Sequence, residues 1–396
     1  MKPATAPLTH LALPFFDTVH RQLATALAEW VPRQQIDESD DRIACRAWVK
    51  LLGEQGWLRY CVPAGLNGAL GGARDRLDSR ALVILRETLA FHSPLADFAF
   101  AMQGLGSGAI TLAGSPEQQA AYLPLVASGE KIAAFALSEA DAGSDAGAMT
   151  TRATPSAGGW SINGSKSWVS NGGIADFYVT FVKTDPASGT RGITAFIVDA
   201  STPRLDSSEH ITVMSPHPLA TLKFTNCQLA AGAQLGTLHG GFKLAMQTLD
   251  IFRASVAGAA LGMARRALFE AVQHARTRKM FGQTLGDFQL TQAKLGEMAA
   301  LVDAAALLTY RAAWLRDEGE RIGNSVRVTA EAAMAKMAAT ENAQRVIDMA
   351  LQMHGGLGVM VGTKVESLYR DIRSLRIYEG ATEVQQLIIG KAVLQS

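Results

Sequence analysis

Cysteine is scarce in this chain: among 396 residues there are three, Cys45, Cys61 and Cys227. They lie far apart, show no C-x-x-C spacing and are odd in number, which argues against a disulfide scaffold or a thiolate metal site. A reducing compartment, the cytoplasm, is expected, with no metal. Charge is sparse too, at 18% of residues with a net charge of +1. A broad basic field for nucleic acid and an acidic tail for a cationic partner are both missing. No stretch approaches ~18 consecutive apolar residues, and Met1 to His10 lacks a basic start leading into an apolar core, so neither a membrane span nor a signal peptide is expected. What the chain has in quantity is apolar surface to bury: 48% of its residues are hydrophobic. That is enough for a large core divided among two or three domains, as in a soluble enzyme.

The hydrophobic period changes twice along the chain. From Phe15 to Ser128, apolar residues recur at three- and four-residue intervals, as in Leu23, Leu27 and Trp30, then Trp48, Leu51 and Leu52, with a further helical block from Leu77 to Phe91. Between them, Asp37 to Arg42 reads as a solvated turn or helix end. Gly104, Gly106 and Gly108 in the segment from Pro94 to Thr111 would leave a helix face bare, either for a ligand or for tight helix packing. Near residue 130 the period falls to two. Trp160 to Val169 carries Asn163-Gly164 between alternating runs, a hairpin signal, and strands are expected at Phe177 to Lys183, Ile193 to Asp199 and Leu222 to Leu229. From Phe242 the helical period returns and is traced through Met246, Leu249, Phe252, Val256, Ala260 and Met263. It recurs over Leu295 to Arg316 and over Val326 to Met353, which Gly355-Gly356 would cap. With a last helix after Ala381, these make a bundle of about four long helices. The expected blocks are 1–129 helical, 130–237 a β-barrel-like middle domain, and 238–396 a helical bundle. Junctions between such blocks favour large ligands.

Within the last block, Arg373-Ser-Leu-Arg-Ile-Tyr-Glu-Gly-Ala-Thr-Glu383 sets one carboxylate, Glu379, between an aromatic ring and a glycine. Burial against Tyr378 and Ile377 would raise its pKa and suit it to act as a base, and Gly380 would allow a substrate close to the backbone. A solvated loop glutamate is the alternative. Upstream, Phe135-Ala-Leu-Ser-Glu-Ala-Asp-Ala-Gly-Ser-Asp145 joins an apolar approach to a loop offering backbone N–H groups and Ser144. Either an ordinary turn or a polar-ligand site fits it.

These two stretches, taken in order with Gly164-Ser-Lys-Ser-Trp-Val-Ser-Asn-Gly172, Arg278-Lys-Met-Phe-Gly282, Gln289 and Gln352-Met-His-Gly-Gly-Leu-Gly358, make the chain resemble the acyl-CoA dehydrogenase family from end to end, in its medium- and short-chain branch. The resemblance implies an α+β multi-domain fold with a helical N-terminal domain, a middle β domain and a C-terminal four-helix bundle. It implies FAD, an acyl-CoA thioester substrate, a role in fatty acid metabolism and an electron-transfer flavoprotein as acceptor. A homo-oligomer, tetramer or dimer, is implied as well.

Carried over by position, Phe135, Leu137 and Ser138 match residues at the flavin edge, and Trp168 and Ser170 match those flanking its ring, where an indole suits an apolar face. Trp168 as a plain core aromatic is the other reading. Arg278, Phe281, Gln289, Gln352 and Gly356 match positions holding the diphosphate and adenosine of an adjacent subunit's FAD, a task for which a guanidinium fork is suited. Glu383 falls at a cofactor position where glutamine or glutamate occurs. Ser144, Phe242, Asp250 and Arg253 match positions along the CoA channel, with Tyr378 and Gly380 beside the acyl group. For Asp250 and Arg253 a local ion pair three residues apart is equally open.

Glu379 matches the base that removes the thioester α-proton as the β-hydrogen leaves to flavin, giving a trans-2-enoyl-CoA. Its own backbone N–H, with a ribityl hydroxyl of FAD, would bond the thioester oxygen. Phe252 occupies the position of the base in other relatives and cannot take a proton. Ala140 replaces the usual proline and Ala381 the usual threonine. Ala96 replaces an arginine of the glutaryl-CoA members, which argues against a dicarboxyl substrate, and Asp97 beside it is read as a surface residue. Phe98 and Phe100 would narrow the acyl pocket. The alternatives to dehydrogenation are an acyl-CoA oxidase using oxygen and a flavin-binding member with another role.

Overall fold

The computed structural model describes residues 4–319, 321 and 328–395. The expected helix start at Val326 and the outer limits of the first and last blocks lie outside the described residues. In chain order the larger elements are α1 (Thr18–Trp30), α2 (Asp41–Glu54), α3 (Ser79–His92), α4 (Pro94–Ala113) and α5 (Pro116–Ala127). They are followed by β1 (Ala133–Ala136), β2 (Arg152–Ser156), β3 (Gly159–Ser170), β4 (Phe177–Lys183), β5 (Ile193–Asp199), β6 (Leu205–His210), β7 (Leu219–Ala230) and β8 (Gln234–Leu235). Then come α6 (Gly241–Thr277), a small hairpin of β9 (Lys279–Met280) and β10 (Gln283–Thr284), α7 (Gln289–Glu318), α8 (Thr329–His354), α9 (Lys364–Leu375) and α10 (Thr382–Gln395). The helical, β, helical order is therefore present, and α9 is a helix beyond those expected.

Contacts group the chain into two compact units: residues 1–35, 79–97 and 253–396 in one, and residues 36–78 and 98–252 in the other. In the first unit α3 is buried along its length from Ser79 to Phe91 and packs with α1 and α7. It lies so close to α6 that a Cβ at Gly258 would sit 2.7 Å from the Val83 carbonyl oxygen, a spacing only glycine allows. Helix α8 packs with α7, α9 and α10. Helix α7 is long and apolar enough to cross a membrane by length and composition, although it holds no unbroken apolar run of that length. It packs instead in the bundle and buries Thr309, Tyr310 and Asp317.

In the second unit the strands pair in the order β6-β7-β3-β2-β4-β5-β8, with β1 parallel to β4. The turn signal Asn163-Gly164 does not make a hairpin: β3 runs straight through it against β7, and the ladder slips there by a bulge. Gly164 takes φ +132° with its Cα facing Thr151, while Asn163 and Asn226 bond each other across the strands at 2.8 and 2.9 Å. The tight turn lies earlier, between β2 and β3, where Gly158 has φ +86°. An Asn-Gly pair supplies positive φ for a bulge as readily as for a turn. The three glycines of α4 serve tight packing rather than a ligand. A Cβ at Gly104 would stand 2.6 Å from the Phe252 ring, and one at Gly106 2.7 Å from Ala133.

Candidate active site

Glu379 sits in the first unit, in the loop between α9 and α10, with φ +53°. A left-handed backbone is costly for a side chain of this size and persists where surroundings enforce it. Here they do. Glu341 of α8 ties both ends of the loop, accepting from Arg376 Nε at 2.8 Å and from Thr382 Oγ1 at 2.5 Å. Its middle is tied through the Gly380 carbonyl, which accepts from Lys336 Nζ at 2.6 Å and from Gln385 Nε2 at 2.8 Å. Among the described residues the backbone N–H of Glu379 donates to no acceptor.

The residue is half-buried, and its Oε2 is buried without a hydrogen-bond partner. Burial pushes the carboxyl above the ordinary glutamate range, against the downward pull of Arg86, Lys336 and Arg253, and Asp97 adds to the rise. Desolvation is thus the dominant effect, as a general base requires. Beside it, burial also raises the Tyr378 phenol. Ile377, expected to help bury Glu379, is 58% exposed. The chain turns back there, with the Ile377 N–H bonded to Ser374 O at 2.9 Å, and the side chain is directed outward.

Asp97, expected on the surface, is instead 2% exposed. Its two oxygens accept from Arg86 Nε and Nη2 at 2.8 and 2.9 Å, and Arg86 Nη1 donates to Ser255 Oγ at 3.1 Å. A forked pair of this kind satisfies two charges that could not otherwise be buried. Arg253, on the same unit, is 5% exposed.

The second unit holds the residues expected around a flavin ring. Phe135 lies within β1 with its ring 4.8 Å from that of Phe181, and Leu137 is buried just beyond the strand. The Ser138 carbonyl accepts from the Ser167 N–H at 3.0 Å, which fastens this loop to β3. Trp168 is not a core aromatic: it is 56% exposed, at φ +59°, inside a second bulge of β3 between Lys166 and Val169. Bulges re-aim side chains, and this one turns an indole out of the sheet as a flat apolar platform, with Ser170 half-buried two residues on.

The same strand contributes Lys166 to a buried pair with Glu139. Lys166 Nζ, on a wholly buried residue, donates to Glu139 Oε1 at 2.9 Å and to Leu137 O at 3.0 Å. Glu139 also accepts from the N–H groups of Thr150 and Thr151. Although burial opposes the charge, Lys166 and these donors hold the Glu139 carboxyl at about 2. Ser144 is exposed in the following loop, Phe242 and Asp250 are half-buried on α6, Phe98 packs on the His217 ring at 4.6 Å, and Phe100 is fully buried in the core.

On the first unit, Arg278, Phe281, Gln289, Gln352 and Gly356 are all exposed. The stacked rings of His274 and His354, 4.3 Å apart, join the ends of α6 and α8. The β9–β10 hairpin, closed by Leu285 N–H to Arg278 O at 2.7 Å, carries Phe281 at its tip with φ +47° and 87% exposure. Glu383 is exposed in the first turn of α10.

Arg86, Lys336, Gln385, Glu139 and Lys166 went unassigned in the sequence. The signal was there for two of them: Arg86 follows directly on the apolar run Ala81 to Leu85, and Lys336 interrupts the apolar stretch Ala332 to Ala339. Charges so placed are buried with a partner.

Profiles of three domains match the chain: the N-terminal domain of acyl-CoA dehydrogenase over residues 15–130, its middle domain over 134–227 and its C-terminal domain over 239–394. The human short-chain specific acyl-CoA dehydrogenase, a mitochondrial protein, is 39% identical over 88% of this chain and 83% of its own length. Subunit CarC of the caffeyl-CoA reductase-Etf complex of Acetobacterium woodii is 36% identical over 86% of this chain and 87% of its own. The solved structure of butyryl-CoA dehydrogenase from Megasphaera elsdenii superposes with a TM-score of 0.87 at 30% identity, covering 96% of this chain and 99% of that one.

Proposed function

The chain belongs to the acyl-CoA dehydrogenase family of FAD-dependent oxidoreductases, and from that premise we propose that it removes the α- and β-hydrogens of an acyl-CoA thioester with Glu379 as the base. One observation carries the reading: a buried carboxylate oxygen without a partner, on a strained and clamped backbone, with its pKa raised. Such a group is expensive to keep unless it meets a ligand.

In this reading Glu379 takes the α-proton onto its carboxylate. The uncommitted N–H of the same residue donates to the thioester oxygen, where negative charge grows as the proton leaves. Tyr378 and Gly380 line the acyl end, the glycine admitting the reacting carbon close to the backbone. Ser144, Phe242, Asp250 and Arg253 hold the CoA portion. FAD, when bound, supplies the acceptor for the hydride that leaves the β-carbon. The residues present fit it. An outward-turned Trp168 offers its ring a face, Phe135, Leu137, Ser138 and Ser170 suit the ring's apolar and polar edges, and Arg278 offers its phosphates a fork. Phe281, Gln289, Gln352, Gly356 and Glu383 complete the cofactor set, the first three with Gly356 and Arg278 serving a neighbouring copy's FAD. A homo-oligomer follows. The product is the trans-2-enoyl-CoA, and an electron-transfer flavoprotein takes the electrons, as the name of the Acetobacterium relative suggests for that protein.

Anaerobic mixing of the yellow protein with acyl-CoAs of graded chain length tests the reading: the flavin absorbance is expected to bleach with at least one of them. Reoxidation should then be faster with an electron-transfer flavoprotein than with oxygen. A protein that binds no FAD, or whose flavin no acyl-CoA bleaches, contradicts it.

A further inference from the structure

We propose that Lys336 is a positioning residue for Glu379, holding the Gly380 carbonyl and with it the left-handed backbone that aims the carboxylate. The inference rests on the reading of Glu379 as the base. Lys336 is wholly buried on α8. Buried ammonium groups are costly, and a methionine or leucine would fill the same space in a helical bundle more cheaply. The charge is spent on one acceptor, Gly380 O at 2.6 Å, to which the buried Gln385 of α10 also donates at 2.8 Å. Two donors from two helices thus converge on the carbonyl of the residue that follows the base. Gly380 itself has φ +90°, and a Cβ there would collide with Gln385 Nε2, so the clamp needs glycine at this position.

The ammonium acts on Glu379 in a second way. The groups that face the carboxylate are Arg86 of α3, Asp97 of α4, Arg253 of α6, Lys336 of α8 and the neighbouring Tyr378; those facing Lys336 also include Glu341 and Glu383. Of the cations, Lys336 stands second only to Arg86 in favouring ionised Glu379, and burial in turn lowers the Lys336 ammonium to about 8. Removing the charge therefore raises the pH at which Glu379 becomes a base.

The test uses the full-length, FAD-loaded protein and butyryl-CoA, following anaerobic flavin bleaching against pH. Lys336→Met is expected to slow bleaching about tenfold, the scale of a small misplacement of a reacting group, with half-saturating butyryl-CoA unchanged and the acid limb moved to higher pH. Lys336→Arg, which keeps charge and donors, is expected to recover most of the lost rate and return the acid limb. Gln385→Leu, which leaves the ammonium in place, should slow bleaching without moving that limb. A Lys336→Met protein with the rate and acid limb of the wild type overturns the proposal, as does a Lys336→Arg protein as impaired as Lys336→Met. Should Lys336→Met fail to retain flavin, a wild-type rate in Gln385→Leu overturns the clamp. Glu379→Gln in the same assay separates the two readings. Bleaching at the wild-type rate in that variant removes the base assignment itself, whereas a silent Glu379→Gln beside an unaffected Lys336→Met removes only the positioning role.

Discussion

Glu379 joins two conditions that oppose each other in an ordinary loop, burial of a carboxylate and a backbone in the left-handed region. Because its pKa is raised by desolvation, the unprotonated, proton-accepting form appears only above the usual glutamate range. The rate of substrate-driven flavin reduction should therefore climb with pH through a midpoint above 4.5, the ordinary value; a midpoint at or below it contradicts the assignment. Arg86 and Asp97 make a second test at this scale. Replacing Asp97 by alanine leaves a buried guanidinium without its fork and should cost about 3–5 kcal/mol of stability, measured by denaturant unfolding. The Tyr-Glu-Gly run was legible in the sequence as a candidate, but its strain was not. Nothing in the letters Tyr378-Glu379-Gly380 tells that the first of two positive φ angles falls on the glutamate rather than on the glycine alone.

At the scale of elements, β3 does the most to place residues, and it does so by irregularity. Its two bulges accommodate Gly164 and turn Trp168 outward. The sequence showed the strand and the Asn163-Gly164 signal but not which partner it would meet, because Asn226 of β7 is 63 residues away. Long-range pairing of this kind decides between turn and bulge. The Glu139–Lys166 pair then fastens β3 to the loop after β1. Burial lowers the Lys166 ammonium to about 8, but for the carboxylate the folded state holds Glu139 at about 2 against an ordinary 4.5, so the Glu139 contribution is present above 4.5 and is lost as pH falls toward 2. Acid unfolding of Glu139→Gln should accordingly show less pH dependence over that window than the wild type. Trp168→Ala is expected to release flavin, by fluorescence, at lower denaturant than unfolds the wild type; an unchanged FAD affinity would deny the indole its role.

For the whole molecule, the alternation of helical and two-residue periods made the order of helices, sheet and helices readable from the sequence. The grouping of distant segments was not. Residues 79–97 join residues 253–396 in one compact unit, and no local pattern announces that Arg86 and Asp97 end near Glu379. The exposed apolar surface of the first unit belongs to this scale as well: Phe281, Leu290 and Val361 are each more than four-fifths exposed, which suits the proposed assembly of copies. Light scattering should find a species larger than one chain, and Phe281→Asp should lower both its mass and its FAD content.

The proton itself gives the most direct test of the account. Incubating the protein in deuterated water with an acyl-CoA analogue that cannot lose its β-hydrogen, and following the α-protons by NMR, isolates the step assigned to Glu379. The wild type is expected to exchange them and Glu379→Gln to leave them in place; exchange by the variant at the wild-type rate would show that another group is the base.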